Sequence, residues 1–84
     1  MNKQLMTIVL ESAAFWELAG DELVDPDAAA EQNEGLVSTL HEMTPEEKAE
    51  FLAFAKQYAD DEEENGDPDR VRFFRSIPKV LGLE

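Results

Sequence analysis

The 84-residue chain contains no cysteine. That excludes a disulfide framework, thiol catalysis and cysteine-ligated metal, while leaving the compartment open. Positive charge is scarce: seven Lys and Arg stand against 20 Asp and Glu, a formal net charge of -13. Such a field repels nucleic-acid phosphates and anionic lipid, so neither nucleic acid nor a membrane is an expected direct partner. Histidine occurs once. His41-Glu42 begins like a zinc-protease motif, but no second histidine completes it, and a di-iron bundle would need Glu-x-x-His pairs that are missing. With four glycines there is no Gly-rich phosphate loop, and Ser12, Ser38 and Ser76 have no histidine in evident reach. No enzyme activity and no cofactor are expected. Long apolar runs are also lacking. Leu5–Leu10 stops at Glu11, too short for a signal peptide or a membrane span, so the expectation is a soluble cytoplasmic protein.

What is present is enough to fold. Hydrophobic residues make up 43% of the chain, which argues against wholesale disorder, and the length suits one domain over residues 1–84. Three segments share one grammar: Asp25-Pro26, Thr44-Pro45 and Asp67-Pro68. Each sets an N-cap oxygen before a proline, whose missing N–H costs nothing at the first helical position. Thr44 with Glu47 adds a capping box.

The helical period predicts a first helix over about 2–19, with Leu5, Ile8, Val9, Ser12, Ala13, Trp16 and Ala19 inward and Lys3, Thr7 and Glu11 outward. Gly20-Asp21 reads as its stop. A second helix is expected over 26–41, with Ala29, Leu36, Val37 and Leu40 inward. Its weak first half would need close packing along Ala28–Ala30. A third is expected over about 45–60, burying Phe51, Leu52, Ala55, Tyr58 and Ala59, and a fourth over 68–77, burying Val71, Phe73, Phe74 and Ile77. Pro78 blocks continuation, and Val80, Leu81 and Leu83 should pack as an apolar tail. The fold class is therefore all-α: a small antiparallel bundle of about four helices with a short C-terminal tail. The aromatics Phe15, Trp16, Phe51, Phe54, Tyr58, Phe73 and Phe74 form its expected core.

The charge is uneven. Residues 1–69 carry 19 acidic and three basic side chains, whereas residues 70–84 carry Arg70, Arg72, Arg75 and Lys79 against Glu84. The densest run is Asp60, Asp61, Glu62, Glu63 and Glu64. Carboxylates at the negative end of a helix are unfavourable by a few tenths of a kcal/mol each, roughly. One reading is a solvated linker partly neutralised by the arginines downstream. The other is a docking surface for a basic partner, extended by Glu46, Glu47 and Glu50. A calcium loop can be aligned with Asp61, Glu63, Asn65 and Gly66, but Arg72 falls where a bidentate glutamate is needed. Glu46 and Glu50 share a face at i, i+4, as an acid–base pair might, but a solvated face explains them as well. Arg70 falls within the apolar face of the fourth helix and so needs a carboxylate partner or a rim position.

The functional expectation is a non-enzymatic acidic interaction module, monomeric or homodimeric. It would neutralise a basic-surfaced protein or peptide as an immunity protein or inhibitor does, an analogy of size and charge only. Nucleic-acid mimicry and a small metal-binding domain are the alternatives.

Overall fold

The computed structural model describes residues 2–20 and 22–83. Four helices and a final single turn follow one another: α1 (Lys3–Leu18), α2 (Pro26–Leu40), α3 (Pro45–Asn65), α4 (Pro68–Arg75) and α5 (Ile77–Val80). There is no strand among the described residues. Each helix start has a local cause. Asn2 Oδ1 accepts the Leu5 N–H at 3.0 Å. Asp25 Oδ1 reaches the Asp27 N–H at 3.4 Å, and Asp67 Oδ1 accepts from Asp69 and Arg70 at 3.1 and 3.2 Å. The capping box at α3 closes both ways, with the Glu47 N–H on Thr44 Oγ1 at 3.1 Å and the Thr44 N–H on Glu47 Oε1 at 2.9 Å. α1 ends at Leu18 with Ala19 as its extended C-cap, just before the expected Gly20-Asp21 stop, of which Asp21 lies outside the described residues.

α3 runs five residues past its expected end near Asp60. The acidic run is thus helix and not linker. The dipole penalty on its carboxylates is offset by ion pairs with α4. Gly66 then terminates the helix at φ +84°, a left-handed conformation that glycine adopts without a Cβ clash. Its N–H donates to the Glu62 and Glu63 carbonyls. The two-residue connection Gly66-Asp67 turns α4 back along α3. Tyr58 meets Phe74 and Glu62 meets Arg70, a register that falls on one strand of the pair as it rises on the other, so the two helices are antiparallel. Ser76 interrupts the helical path by donating its hydroxyl to the Phe73 carbonyl. Pro78 then sits in the first turn of α5, where no N–H is needed.

The core is built from Phe51, Ala55 and Ala59 of α3, Phe73 and Phe74 of α4, Ile77, Leu81 and Leu83 behind them, and Leu40 from α2. α4 buries the face expected of it, with neither Phe73 nor Phe74 left outside, while α3 buries Phe51, Ala55 and Ala59 and leaves the expected Leu52 and Tyr58 half-buried against the core. α2 is as weakly held as its sequence implies. Ala29 and Leu40 are buried and Leu36 and Val37 half-buried, but Ala28 and Ala30 face solvent and take no part. In the tail Leu81 and Leu83 are buried, whereas Val80 is exposed against expectation.

α1 departs most from the expected arrangement. It buries Met6, Leu10, Ala13 and Ala14 and leaves Leu5, Ile8 and Phe15 exposed. At about 100° per residue, the inward face is turned by roughly a third of a revolution from the expected one. The cause lies in size as well as period. Ala13 and Ala14 let the helix approach the Phe51–Phe74 core closely, and Met6 and Leu10 fill one turn further back. Trp16 is only half-buried, its ring edge-on to the exposed Phe15 with centroids 5.2 Å apart.

Truncating these aromatics therefore has unequal effects. Phe74→Ala removes a ring with no solvent exposure and should cost about 3–5 kcal/mol, close to the whole stability of a domain this small. Trp16→Ala should cost well under that and leave cooperative unfolding intact. Urea melts followed by circular dichroism check both. A Trp16→Ala variant that is unfolded in buffer would contradict the observed orientation of α1.

Candidate partner-binding surface

Arg70 projects from the first turn of α4 towards both long neighbours. Its Nε donates to Glu62 Oε1 of α3 and its Nη2 to Glu11 Oε2 of α1, each at 2.6 Å. The Tyr58 hydroxyl donates to the same Glu11 oxygen. The guanidinium also lies over the Phe74 ring, 5.1 Å from its centroid, a favourable cation–π distance. The expected pairing of Arg70 is thus met twice over. Glu11 was expected on the wet side of α1 but instead turns to the margin of the core. A lone carboxylate between Leu10 and Ser12 was the only signal for it in the chain.

The electrostatics follow from the geometry. Partial burial pushes the Glu11 carboxyl up, but hydrogen bonds from Tyr58 and Arg70, with the Arg70 charge, bring it below its ordinary value. Burial, then the hydrogen bond to Glu11, pushes the Tyr58 hydroxyl up to about 12. The bond to Glu11, against the effect of burial, holds Arg70 protonated more firmly than a free arginine.

The acidic run is distributed around the last turns of α3 and does not form one plate. Glu62 faces Arg70. Glu63 and Asp60 flank Arg75 at 2.6 and 3.5 Å. Asp61 accepts from the Gln57 amide at 3.0 Å. Glu64 is exposed at the end. Four of the five thus hold intramolecular partners, and Glu62, Glu63 and Asp60 clamp α3 to α4. Glu46, Glu47 and Glu50 share the helix but lie at its other end, about 20 Å away at about 1.5 Å per residue. Glu47 serves the capping box, and all three are exposed. The structure therefore presents two acidic regions, not one continuous patch.

Asp61, Glu63 and Asn65 are helical, so the loop conformation that a calcium site requires is not adopted. Among the described residues no group of three or more His, Asp or Glu side chains is placed to hold a metal ion. His41 is the exposed C-cap of α2. Gly82, at φ +64°, brings the tail so close that a Cβ there would sit 3.3 Å from His41 Nε2. No helix among the described residues is long and apolar enough to cross a membrane.

The Glu11–Tyr58–Arg70 cluster makes stability depend on pH at both ends. The folded-state value of Glu11 is depressed, so its contribution is complete above the unfolded value of about 4.3 and disappears as pH falls through the folded value. Tyr58 is raised, so its contribution is complete below about pH 10 and is lost as pH rises towards 12. Glu11→Gln should cost about 1 kcal/mol at pH 7, the usual worth of a charged hydrogen bond discounted for its partial exposure. It should also flatten the acid limb of the stability curve, and Tyr58→Phe the alkaline limb. Urea midpoints across both pH ranges check this, and unchanged limbs would show that the cluster does not couple to folding.

No protein-family model matches this chain, and comparisons with curated proteins and with solved structures return no match.

Proposed function

We propose that this chain is a non-enzymatic acidic interaction module that binds and neutralises a basic-surfaced protein or peptide, acting as an inhibitor in the cytoplasm. The observation that carries this reading is the placement of charge. A chain of net charge -13 folds with no buried charged side chain among the described residues, so its excess of carboxylates lies at the surface. Self-repulsion on this scale destabilises a compact state. A sequence under selection for stability alone would place lysines opposite the arginine-poor face of α2 and the start of α3. This one places Asp27, Glu31, Glu34, Glu42, Glu46, Glu47 and Glu50 there, with Lys48 the one cation from Pro26 to Glu50. A negative field of this kind steers a cationic partner into contact and repels nucleic acid and anionic lipid.

The hydroxyls of Thr7 and Ser76 donate to the backbone carbonyls of Lys3 and Phe73 and not to a base. The carboxylate cluster with displaced acidity, Glu11 with Tyr58 and Arg70, is consumed in holding three helices together. Its groups are satisfied by one another, as in structural ion-pair networks, which also shift acidities.

The test uses proteins captured from the host extract and then purified. Their association rates are measured by stopped flow between 20 and 300 mM sodium chloride. The partners should carry a net positive charge. The rate should fall steeply with salt and should fall about tenfold for Glu46→Gln/Glu50→Gln/Asp61→Asn/Glu64→Gln, because steering acts on the on-rate. Folding should survive, since these four lie outside the core. Acidic partners, or rates indifferent to salt and to the four substitutions, would overturn the reading.

A further inference from the structure

α1 is apolar on two faces, and the bundle uses one of them. Met6, Leu10, Ala13 and Ala14 enter the core. On the other side Leu5, Ile8 and Phe15 are 60, 59 and 52% exposed, with Ser12 and Ala19 half-buried between and beyond them. Positions 5, 8, 12, 15 and 19 alternate steps of three and four, the spacing of a heptad seam. Singly exposed leucines need no explanation, but three large exposed apolar side chains along one helix face, interrupted only by the half-buried Ser12, point to an interaction surface. The stripe continues at its C-terminal end, where Leu18 (42% exposed) and Leu23 (79% exposed) join Phe15 in a groove. Glu11, Asp67, Asp69 and Arg70 line the same groove; Arg70 pairs with Glu11 and Glu62, Asp69 with Arg72, and Asp67 caps α4.

We infer that this seam is where the partner docks, and that the docking element is a cationic amphipathic helix. The inference rests on the interaction-module reading and names its anchor. A seam of heptad spacing from Leu5 to Ala19 is about 21 Å long and takes an α-helix of some four turns. Charge complementarity decides the sign of that helix. Glu11, Asp67 and Asp69 beside the apolar floor already hold partners within the chain, so the sign is set by the chain as a whole: at -13 it attracts at long range a partner with lysines or arginines flanking its apolar stripe. A second copy of this chain would bring an equal negative charge to the same contact. The acidic surface supplies the rate of encounter, and Leu5, Ile8, Phe15 and Leu18 supply the lifetime of the complex.

The experiment uses the full chain and three synthetic 18-residue peptides. The first has leucines in a heptad stripe with lysines elsewhere. The second has the same composition scrambled, so that no apolar face forms. The third keeps the stripe and replaces lysine by glutamate. Binding is followed by NMR titration, and the oligomeric state by sedimentation velocity. The first peptide should bind, shift the resonances of Leu5, Ile8 and Phe15, and bind about tenfold more tightly than either other peptide. Ile8→Ser/Phe15→Ser should abolish that advantage while the thermal melt stays within a few degrees of wild type, because both side chains are exposed. Equal binding of the first two peptides, or shifts confined to α2 and α3, would overturn the seam and leave the acidic module standing. Equal or tighter binding of the glutamate peptide would overturn the charge argument and the module with it. A wild-type dimer that Ile8→Ser/Phe15→Ser dissociates would assign the seam to a second copy and overturn the inference. So would binding to neutral phosphatidylcholine vesicles that the same substitutions remove, which would assign it to a lipid surface.

Discussion

One guanidinium organises the molecule. Arg70 is the point at which α1, α3 and α4 meet, and it meets them through carboxylates on two different helices and the face of Phe74. A partly buried cation needs such partners, since its desolvation is otherwise uncompensated. With Glu62 on one side it fixes the register of the α3–α4 pair. With Glu11 on the other it fixes the rotation of α1 about its own axis. Glu11 is held at the margin of the core, and helical geometry then places Phe15, Ile8 and Leu5 progressively further round, on the outside. The same contact that closes the bundle therefore leaves an apolar seam open.

This arrangement separates two tasks that a small acidic chain must reconcile. Cohesion comes from a compact apolar core around Phe51, Phe74, Leu10, Ile77 and Leu81, together with a few carboxylates paired to Arg70 and Arg75. Surface charge comes also from the exposed carboxylates on α2, on the start of α3 and at Glu64. In the basic C-terminal segment Arg72 pairs with Asp69 of its own helix, while Arg70 and Arg75 are drawn onto the acidic end of α3, where they make a 21-residue helix tolerable despite the carboxylates in its last turns. What remains facing solvent among the described residues is a strongly negative surface with the apolar side chains of Leu5, Ile8 and Phe15 exposed along α1.

The helix starts were legible because capping is local. Asp25-Pro26, Thr44-Pro45 and Asp67-Pro68 each determine a start within three residues, and each start occurs where the residues place it. The inner faces of α3 and α4 were legible because their large apolar residues fall on one side only. The end of α3 was not. It depends on Arg70 and Arg75 returning across a turn, a contact that exists only once α4 has packed antiparallel to α3. The rotation of α1 was not legible either, because Leu5, Met6, Ile8, Val9 and Leu10 surround the helix and leave its period ambiguous. The pairing of small Ala13 and Ala14 with Met6 and Leu10, one turn apart, was the sequence signal that favoured the observed face. Among the candidate site residues, charge was readable but partnership was not. Nothing in Asp60–Glu64 alone distinguishes Glu62, which turns inward, from Glu64, which does not.

The central claim is that α1 presents Leu5, Ile8 and Phe15 to solvent and buries Met6, Leu10, Ala13 and Ala14. Solvent paramagnetic relaxation tests it without any partner in hand. With a soluble gadolinium chelate added to methyl-labelled protein, the methyl signals of Leu5 and Ile8 should broaden strongly while those of Met6 and Leu10 remain sharp. Protected Leu5 and Ile8 with broadened Met6 and Leu10 would show that α1 packs by its other face, and the account of Arg70, of the bundle and of the docking seam would fail together.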